Sequence, residues 1–159
     1  MKKILNMLEK DCKLTASQIA SMLDMDEQQV VSAIHEFEEE GVILGYKAMI
    51  DWDKTDRESV TALIEIKVTP QRGQGFARIA ERISQYSEVE SCYLMSGGFD
   101  LAVLITGKSL KDVALFVAEK IAPLESVNAT ATHFVLRKFK DKGFLFSKSS
   151  NGQERIKLV

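Results

Sequence analysis

An α+β fold in two parts, an N-terminal winged helix-turn-helix followed by a ferredoxin-like βαββαβ sandwich, is what three patterns in this sequence predict. Apolar residues recur at helical spacing three times within the first 41 residues, separated by turns of only a few residues. From Val60 onward, alternating strand-like runs and helical stripes succeed one another in the order β-α-β-β-α-β. Between the two parts stands residues 51–58, polar apart from Trp52 and the best linker in the chain.

The first helix is carried by Ile4, Leu5 and Leu8 and ends near Asp11. Thr15-Ala16-Ser17-Gln18 reads as a capping box, the Thr15 hydroxyl on the Gln18 amide and Gln18 reaching back. It opens a second helix with Ile19, Ala20, Met22 and Leu23 facing inward, closed by a tight turn at Asp24-Met25. Asp26-Glu27-Gln28-Gln29 repeats the cap and starts a third helix, which runs to the glutamates before Gly41, a left-handed C-cap. On it Val30, Ala33, Ile34 and Phe37 form the buried stripe, with Gln28, Ser32, His35 and Glu39 opposite. Residues 42–50 read as one or two short strands around Gly45, a small wing. Trp52 is expected to pack between the two domains, with anchoring of the hinge or of a partner's surface as the alternative.

In the second part, residues 60–69 alternate as a β-branched strand, 70–75 form a loop, and Phe76, Ile79, Ala80 and Ile83 make a helical stripe. Residues 89–95 and 101–106 are strands joined by a Ser-Gly-Gly-Phe-Asp turn. Ser109-Leu110-Lys111-Asp112 caps a helix carrying Val113, Phe116, Val117 and Ile121, and 127–136 is the fourth strand. Both helices then lie on one face of an antiparallel sheet, and the other face must be covered. Pairing of that face with a second copy, as a symmetric dimer, is the simplest remedy. At the C-terminus, Gly143-Phe144-Leu145-Phe146 and Ile156-Lys157-Leu158-Val159 bracket a polar loop. That arrangement fits an added hairpin, pairing across the dimer, or a disordered end. The resulting domain boundaries are 1–50, a linker at 51–59, 60–142, and an extension at 143–159.

Composition narrows the function classes. The 159 residues carry a net charge of −2, but residues 1–52 hold five lysines against ten acidic residues and the remainder is net +3. Cys12 and Cys92 lack any CxxC or His-Cys grouping, so neither zinc nor a disulfide framework is expected. No apolar run reaches the roughly 18 residues of a membrane span, and the N-terminus meets Glu9 and Asp11 before any apolar signal region. A cytoplasmic location without membrane contact is the default expectation. No Ser-His-Asp, Cys-His or paired-carboxylate arrangement is present, and His35 and His133 fall in different parts of the chain, so no catalytic residue, metal or cofactor is expected.

Two groups of residues carry chemistry instead. A free amino acid presents an ammonium and a carboxylate. Asp100 is suited to accept from the first, and the Gly97 and Gly98 amides can approach the second because no Cβ intervenes. Thr130 and Thr132 share one strand face and add hydroxyls. An ordinary hairpin turn accounts for the glycines equally well, and strand propensity for the threonines. On the third helix, Gln28 suits bidentate contact with adenine, and Ser32 and His35 can donate to bases or phosphates. A solvated helix face is the competing reading. The basic run Arg137, Lys138, Lys140, Lys142 follows the fourth strand and reads either as a solvated strand end or as a DNA contact.

Three segments together resemble the leucine-responsive and asparagine-regulator (Lrp/AsnC, feast/famine) family of transcription regulators. They are Glu39-Glu40-Gly41-Val42-Ile43-Leu44-Gly45-Tyr46, Ser96-Gly97-Gly98-Phe99-Asp100 and Val127-Asn128-Ala129-Thr130-Ala131-Thr132. The resemblance covers nearly the whole chain. It implies a winged helix-turn-helix that binds double-stranded DNA, an amino-acid-sensing ferredoxin-like domain, and dimers that commonly stack into octameric rings with the effector between dimers. It favours Ser96, Gly97, Gly98, Phe99, Asp100, Thr130 and Thr132 for the effector, while Gln28, Gln29, Ser32, His35 and Lys47 are the DNA-contact candidates that the side chains themselves offer. The chain departs from the family in two places. Gly98 and Phe99 stand where members commonly carry a polar or acidic residue and a tyrosine, and the third helix has Val31, Ser32, Ala33, His35 and Glu36 where members usually carry arginines or lysines. Phosphate neutralisation supplies much of DNA affinity, so an acidic helix weakens it. The alternative expectation is therefore a sensor or assembly partner whose acidic helix-turn-helix contacts another protein.

Overall fold

Ile4 and Leu8 stand one turn apart on α1 (Lys2–Lys10) and both are buried, because the i and i+4 positions of a helix share a face. In the computed structural model, which describes residues 1–70 and 75–146, they join Ile19 and Ala20 of α2 (Ala16–Leu23) and Val30, Ala33 and Phe37 of α3 (Glu27–Glu39) in one small core. The caps fall where the side-chain chemistry requires. Thr15 accepts from the Gln18 amide at 3.2 Å while the Thr15 amide donates to Gln18 Oε1 at 2.9 Å, and Asp26 accepts from the Gln29 amide at 3.1 Å. Between α2 and α3, Asp24 turns the chain in a left-handed conformation (φ 53°). Gly41, at φ 68°, ends α3: its amide donates to Glu38 O and that of Val42 to Phe37 O, the two bonds of a Schellman closure.

Two expectations for this unit fail. Met22 is 61% exposed and does not face inward; Ile19, Ala20 and the half-buried Leu23 already complete the inner stripe of a helix only eight residues long. Residues 42–50 form no strand. The Val42 and Ile43 amides are both committed to Phe37 O, at 2.8 and 2.9 Å, and Gly45 (φ 150°) interrupts the run before it can pair. The wing is an irregular loop.

The chain divides after Met49, and the second unit begins at Ile50. It opens with a 3-10 turn, Trp52–Lys54, in which the Arg57 guanidinium lies 4.3 Å from the Trp52 ring. Then come β1 (Val60–Val68), α4 (Ala77–Ser84), β2 (Val89–Leu94), β3 (Leu101–Gly107), α5 (Leu110–Phe116) and β4 (Val127–Phe134). The sheet order is β2-β3-β1-β4, antiparallel throughout, which is the ferredoxin-like arrangement. Ile64 faces Val103 on one side and Thr132 on the other; Ile66 faces Leu101 and Thr130. Side chains alternate along a strand, so Ala62, Ile64, Ile66 and Val68 all point to the helices and are buried there with Ile83, Val113, Phe116 and Ile121. Each fully buried isoleucine contributes about 1.5–3 kcal/mol. α5 runs into a π-helical turn, Val117–Ile121, closed by Ala122 N–H to Val117 O at 2.8 Å, which keeps Val117 and Ile121 in the core.

The opposite sheet face carries Thr61, Leu63, Glu65 and Lys67 from β1, Leu104 from β3, Tyr93 from β2 and His133 from β4. None of these is fully buried, and Glu65 Oε1 meets His133 Nε2 at 3.4 Å across it. After β4 a short hairpin follows, β5 (Lys140–Asp141) with β6 (Phe144–Leu145), turned by Lys142 and Gly143 at positive φ. Phe144 and Leu145 thus pair with the segment immediately before them. A two-residue turn makes that the nearest available partner. The pairing expected with residues 156–159 lies outside the described residues, as does part of the 70–75 loop.

Candidate functional site

α3 presents Gln28, Gln29, Ser32 and His35 on its exposed face. Gln28, Gln29, Ser32 and Glu36 line a shallow recess together with Met1 and Met25. The turn at residues 24–26 sets this face by fixing how α3 follows α2, and burial of Val30, Ala33 and Phe37 fixes its rotation. His35 Nε2 lies 3.3 Å from Glu39 Oε1, one turn along the same helix, so its ring is partly engaged by a neighbouring carboxylate. Lys47 is exposed in the loop that follows. The sequence did not disclose what holds that loop: the Tyr46 hydroxyl donates to Glu38 Oε1 at 2.9 Å. Partial burial and the Glu38 carboxylate push the Tyr46 phenol above its usual value, so it stays a neutral donor. α3 itself contains four glutamates and no lysine or arginine.

The second group of residues gathers at one end of the sheet. The Met95 amide donates to Asp100 O at 2.8 Å, closing the loop between β2 and β3. Within it Gly97 adopts φ 139°, a conformation that side-chain-bearing residues rarely take. A Cβ built on Gly97 or Gly98 would meet nothing within 4 Å, so the loop is open to solvent in the single chain. Ser96 is likewise exposed and Phe99 half-buried. Asp100 is tied down twice: its amide donates to Ile66 O at 3.0 Å, and its Oδ2 accepts from the Val68 amide at 2.9 Å. The second bond lies where the β1–β4 register shifts, between Lys67 and Val68. The carboxylate therefore caps an irregular strand end with one oxygen, and Oδ1 makes no hydrogen bond among the described residues.

Thr130 reaches the same end of the sheet. It pairs with Ile66, whose other neighbour is Leu101, so two strand spacings, about 10 Å, separate Thr130 from the start of β3. Thr132 sits one pair further in, opposite Ile64, and is half-buried toward the helices. Beside Thr130 the Asn128 side chain donates through Nδ2 to Thr69 Oγ1 at 2.8 Å. Asn128 lies within the motif noted in the sequence, but its partner 59 residues away could not be read there. Among the described residues no three His, Cys, Asp or Glu side chains come together as a metal site, and no helix is long and apolar enough to cross a membrane.

Comparison with known proteins agrees with this architecture. Residues 61–144 match the Lrp/AsnC ligand-binding domain, and residues 1–43 match a winged helix-turn-helix DNA-binding model. The chain is 48% identical over 145 residues to the HTH-type transcriptional regulator YugG of Bacillus subtilis, covering 91% of this chain and 87% of that protein. It is 24% identical over 146 residues to the leucine-responsive regulatory protein of Haemophilus influenzae, covering 92% and 87%. The fold also matches that of the Neisseria meningitidis regulator NMB0573, solved as an L-Met complex, with a TM-score of 0.68, 20% identity and coverage of 87% and 89%. The chain therefore belongs to the Lrp/AsnC family: it is a transcription regulator, not an enzyme, joining a helix-turn-helix DNA-binding part to a ligand-binding domain.

Proposed function

We propose that the effector is a free α-amino acid, held at the sheet end that carries Asp100 and the Gly97–Gly98 loop, with Thr130 across β1 at the same end. The observation that carries this reading is Asp100, a carboxylate fixed by the Val68 amide through Oδ2 with Oδ1 left for an ammonium group. Ser96, Gly97 and Gly98 are exposed, with open space where a Cβ would stand at either glycine, so their backbone can be approached closely by the ligand's carboxylate. Phe99 offers an apolar contact and no hydroxyl, and Thr132 supports the strand from one pair further in. The openness of the loop favours a site completed by a second copy. The half-exposed outer face of the sheet, with Leu63, Leu104 and Tyr93, favours assembly at least as a dimer, which stacking would extend toward an octamer. In this reading residues 1–50 read DNA through Gln28, Gln29, Ser32, His35 and Lys47, 51–59 link, and 60–142 bind effector and dimerise, all in the cytoplasm.

The bound L-Met of NMB0573 supports the ligand class. Thermal unfolding of the full chain with each of the twenty amino acids tests it. An effector at a hundred times its Kd should stabilise the chain by about 2.7 kcal/mol and raise the midpoint accordingly, while most of the twenty leave it unmoved. Flat midpoints throughout would contradict an amino-acid effector. One observation favours a second reading of the N-terminal unit. With four glutamates and no basic residue, α3 suits a basic protein surface better than phosphate, so that unit would contact another regulator.

A further inference from the structure

The part of the chain named for DNA binding is short of cations. Residues 1–49 hold five lysines against nine acidic residues, net −4, and α3 has neither lysine nor arginine. Duplex affinity comes largely from neutralising phosphates and releasing their counterions, so a head of this charge supplies little of it. The densest cluster of positive charge lies elsewhere, on the hairpin that follows β4. Arg137, Lys138, Lys140 and Lys142 fall within six residues, with Asp141 the one acid among them. Arg137, Lys140 and Lys142 are exposed or half-exposed and Lys138 is half-buried, and none of the four forms an ion pair among the described residues. Arg137 instead lies over the Phe139 ring at 5.0 Å, a contact that leaves the guanidinium's charge uncompensated. Elsewhere in the same unit cations do find acids, as Lys120 does with Glu88 at 2.6 Å.

We infer that the 137–145 hairpin is a second DNA-binding surface, gripping the phosphate backbone of double-stranded DNA without reading its bases. The inference rests on the DNA-reading function of the N-terminal unit and adds where the missing phosphate contacts come from. The turn makes the hairpin a defined platform: Lys142 (φ 44°) and Gly143 (φ 89°) reverse the chain, Asp141 pairs with Phe144 and Lys140 with Leu145, and the Phe146 amide donates to Phe139 O at 3.0 Å. Its apolar residues are also exposed, Leu145 by 79% and Phe139 by 67%. The four cations lie in the same nine-residue segment as these apolar residues, so an occupant of this surface must offer anions as well as apolar contact. A duplex answers both needs, offering phosphates to the cations and sugar edges to the rings.

The test is the salt dependence of binding. Full-length chain and the variant R137Q/K138Q/K140Q/K142Q are titrated with the duplex upstream of the gene and with a random duplex, between about 50 and 200 mM salt. Each lost phosphate contact lowers the magnitude of the log–log slope by about 0.9, so the variant's slope should fall by about 2–4 units. Affinity at the low-salt end should drop at least tenfold for both duplexes alike, with oligomeric mass and unfolding midpoint unchanged. If the quadruple variant fails to fold, K140Q/K142Q on the exposed turn should lower the slope by about 2. A variant that matches wild type in slope and affinity overturns this inference and leaves the DNA-reading function intact. A loss of oligomeric mass in the variant overturns it in favour of docking between copies. A wild-type chain that binds no duplex at all defeats the DNA-reading function and this inference with it.

Discussion

Replacing Asp100 with asparagine should leave the fold standing and remove the effector response, whereas replacing it with alanine should damage both. The side chain has two duties in this structure. Oδ2 accepts from the Val68 amide at the irregular end of β1, and the negative charge is assigned to a ligand ammonium. Asparagine keeps an oxygen for Val68 but loses the charge, so D100N should unfold within about 1 kcal/mol of wild type. Its effector affinity should fall by the worth of a charge-assisted hydrogen bond, roughly 1.5–3 kcal/mol or about 10–150-fold. Alanine leaves the part-buried Val68 amide without an acceptor and should cost about 1–3 kcal/mol of stability as well. Denaturant midpoints and calorimetric titration with the effector separate the two. If D100N binds effector like wild type, Asp100 is a strand cap and nothing more.

The second large effect concerns the acidic face of α3. Glu36 and Glu39 are exposed there, Glu39 against His35, and reversing both to arginine brings residues 1–49 from net −4 to neutral. For a helix that docks on DNA, E36R/E39R should tighten binding at low salt by about tenfold or more and steepen the salt slope by about 0.9 for each phosphate gained. The gain should appear on random as well as specific duplexes, since added charge recognises backbone and not sequence. Gel shift across a salt series measures it. No gain on any duplex, together with loss of a protein partner from pull-downs of the full chain, would favour the protein-contact reading of this unit.

Local chemistry made most of the elements legible in the sequence. Thr15 with Gln18, Asp26 with the Gln29 amide, Ser109 with the Asp112 amide and Gly41 at positive φ each act within a few residues, so their spacing announces helix ends directly. The alternation in residues 60–68 likewise announced the strand, and burial of Ala62, Ile64, Ile66 and Val68 follows its period of two. The failures were of a different kind. The wing was inferred from short apolar runs, but whether a run becomes a strand depends on a partner, and the Val42 and Ile43 amides were already committed to Phe37. Met22 had helical spacing but no neighbour left to cover it.

For the candidate site, residue types were visible and their arrangement was not. Asp100 stood out as a carboxylate after a glycine turn, yet its bond to Val68 spans 32 positions and depends on strand order and register. The Asn128–Thr69 contact depends on them too. Thr130 and Thr132 looked equivalent in sequence because they share a strand face. The register separates them, with Thr130 at the sheet end, across β1 from the start of β3, and Thr132 one pair deeper. The Tyr46–Glu38 bond, which anchors the loop carrying Lys47, was hidden because a loop has no periodicity to read.

The central claim is that a single chain reads DNA and reports an amino acid. It is tested most directly by fluorescence anisotropy of the full-length protein on the duplex upstream of its gene, against a random duplex, at fixed salt and with the amino acid that most raises the unfolding midpoint. The upstream duplex should bind at least about a thousandfold more tightly than the random one. The amino acid should shift that affinity by about 5–150-fold in either direction, the range of a coupling free energy of 1–3 kcal/mol. Equal affinity for both duplexes, or an upstream affinity that no amino acid moves, would contradict it.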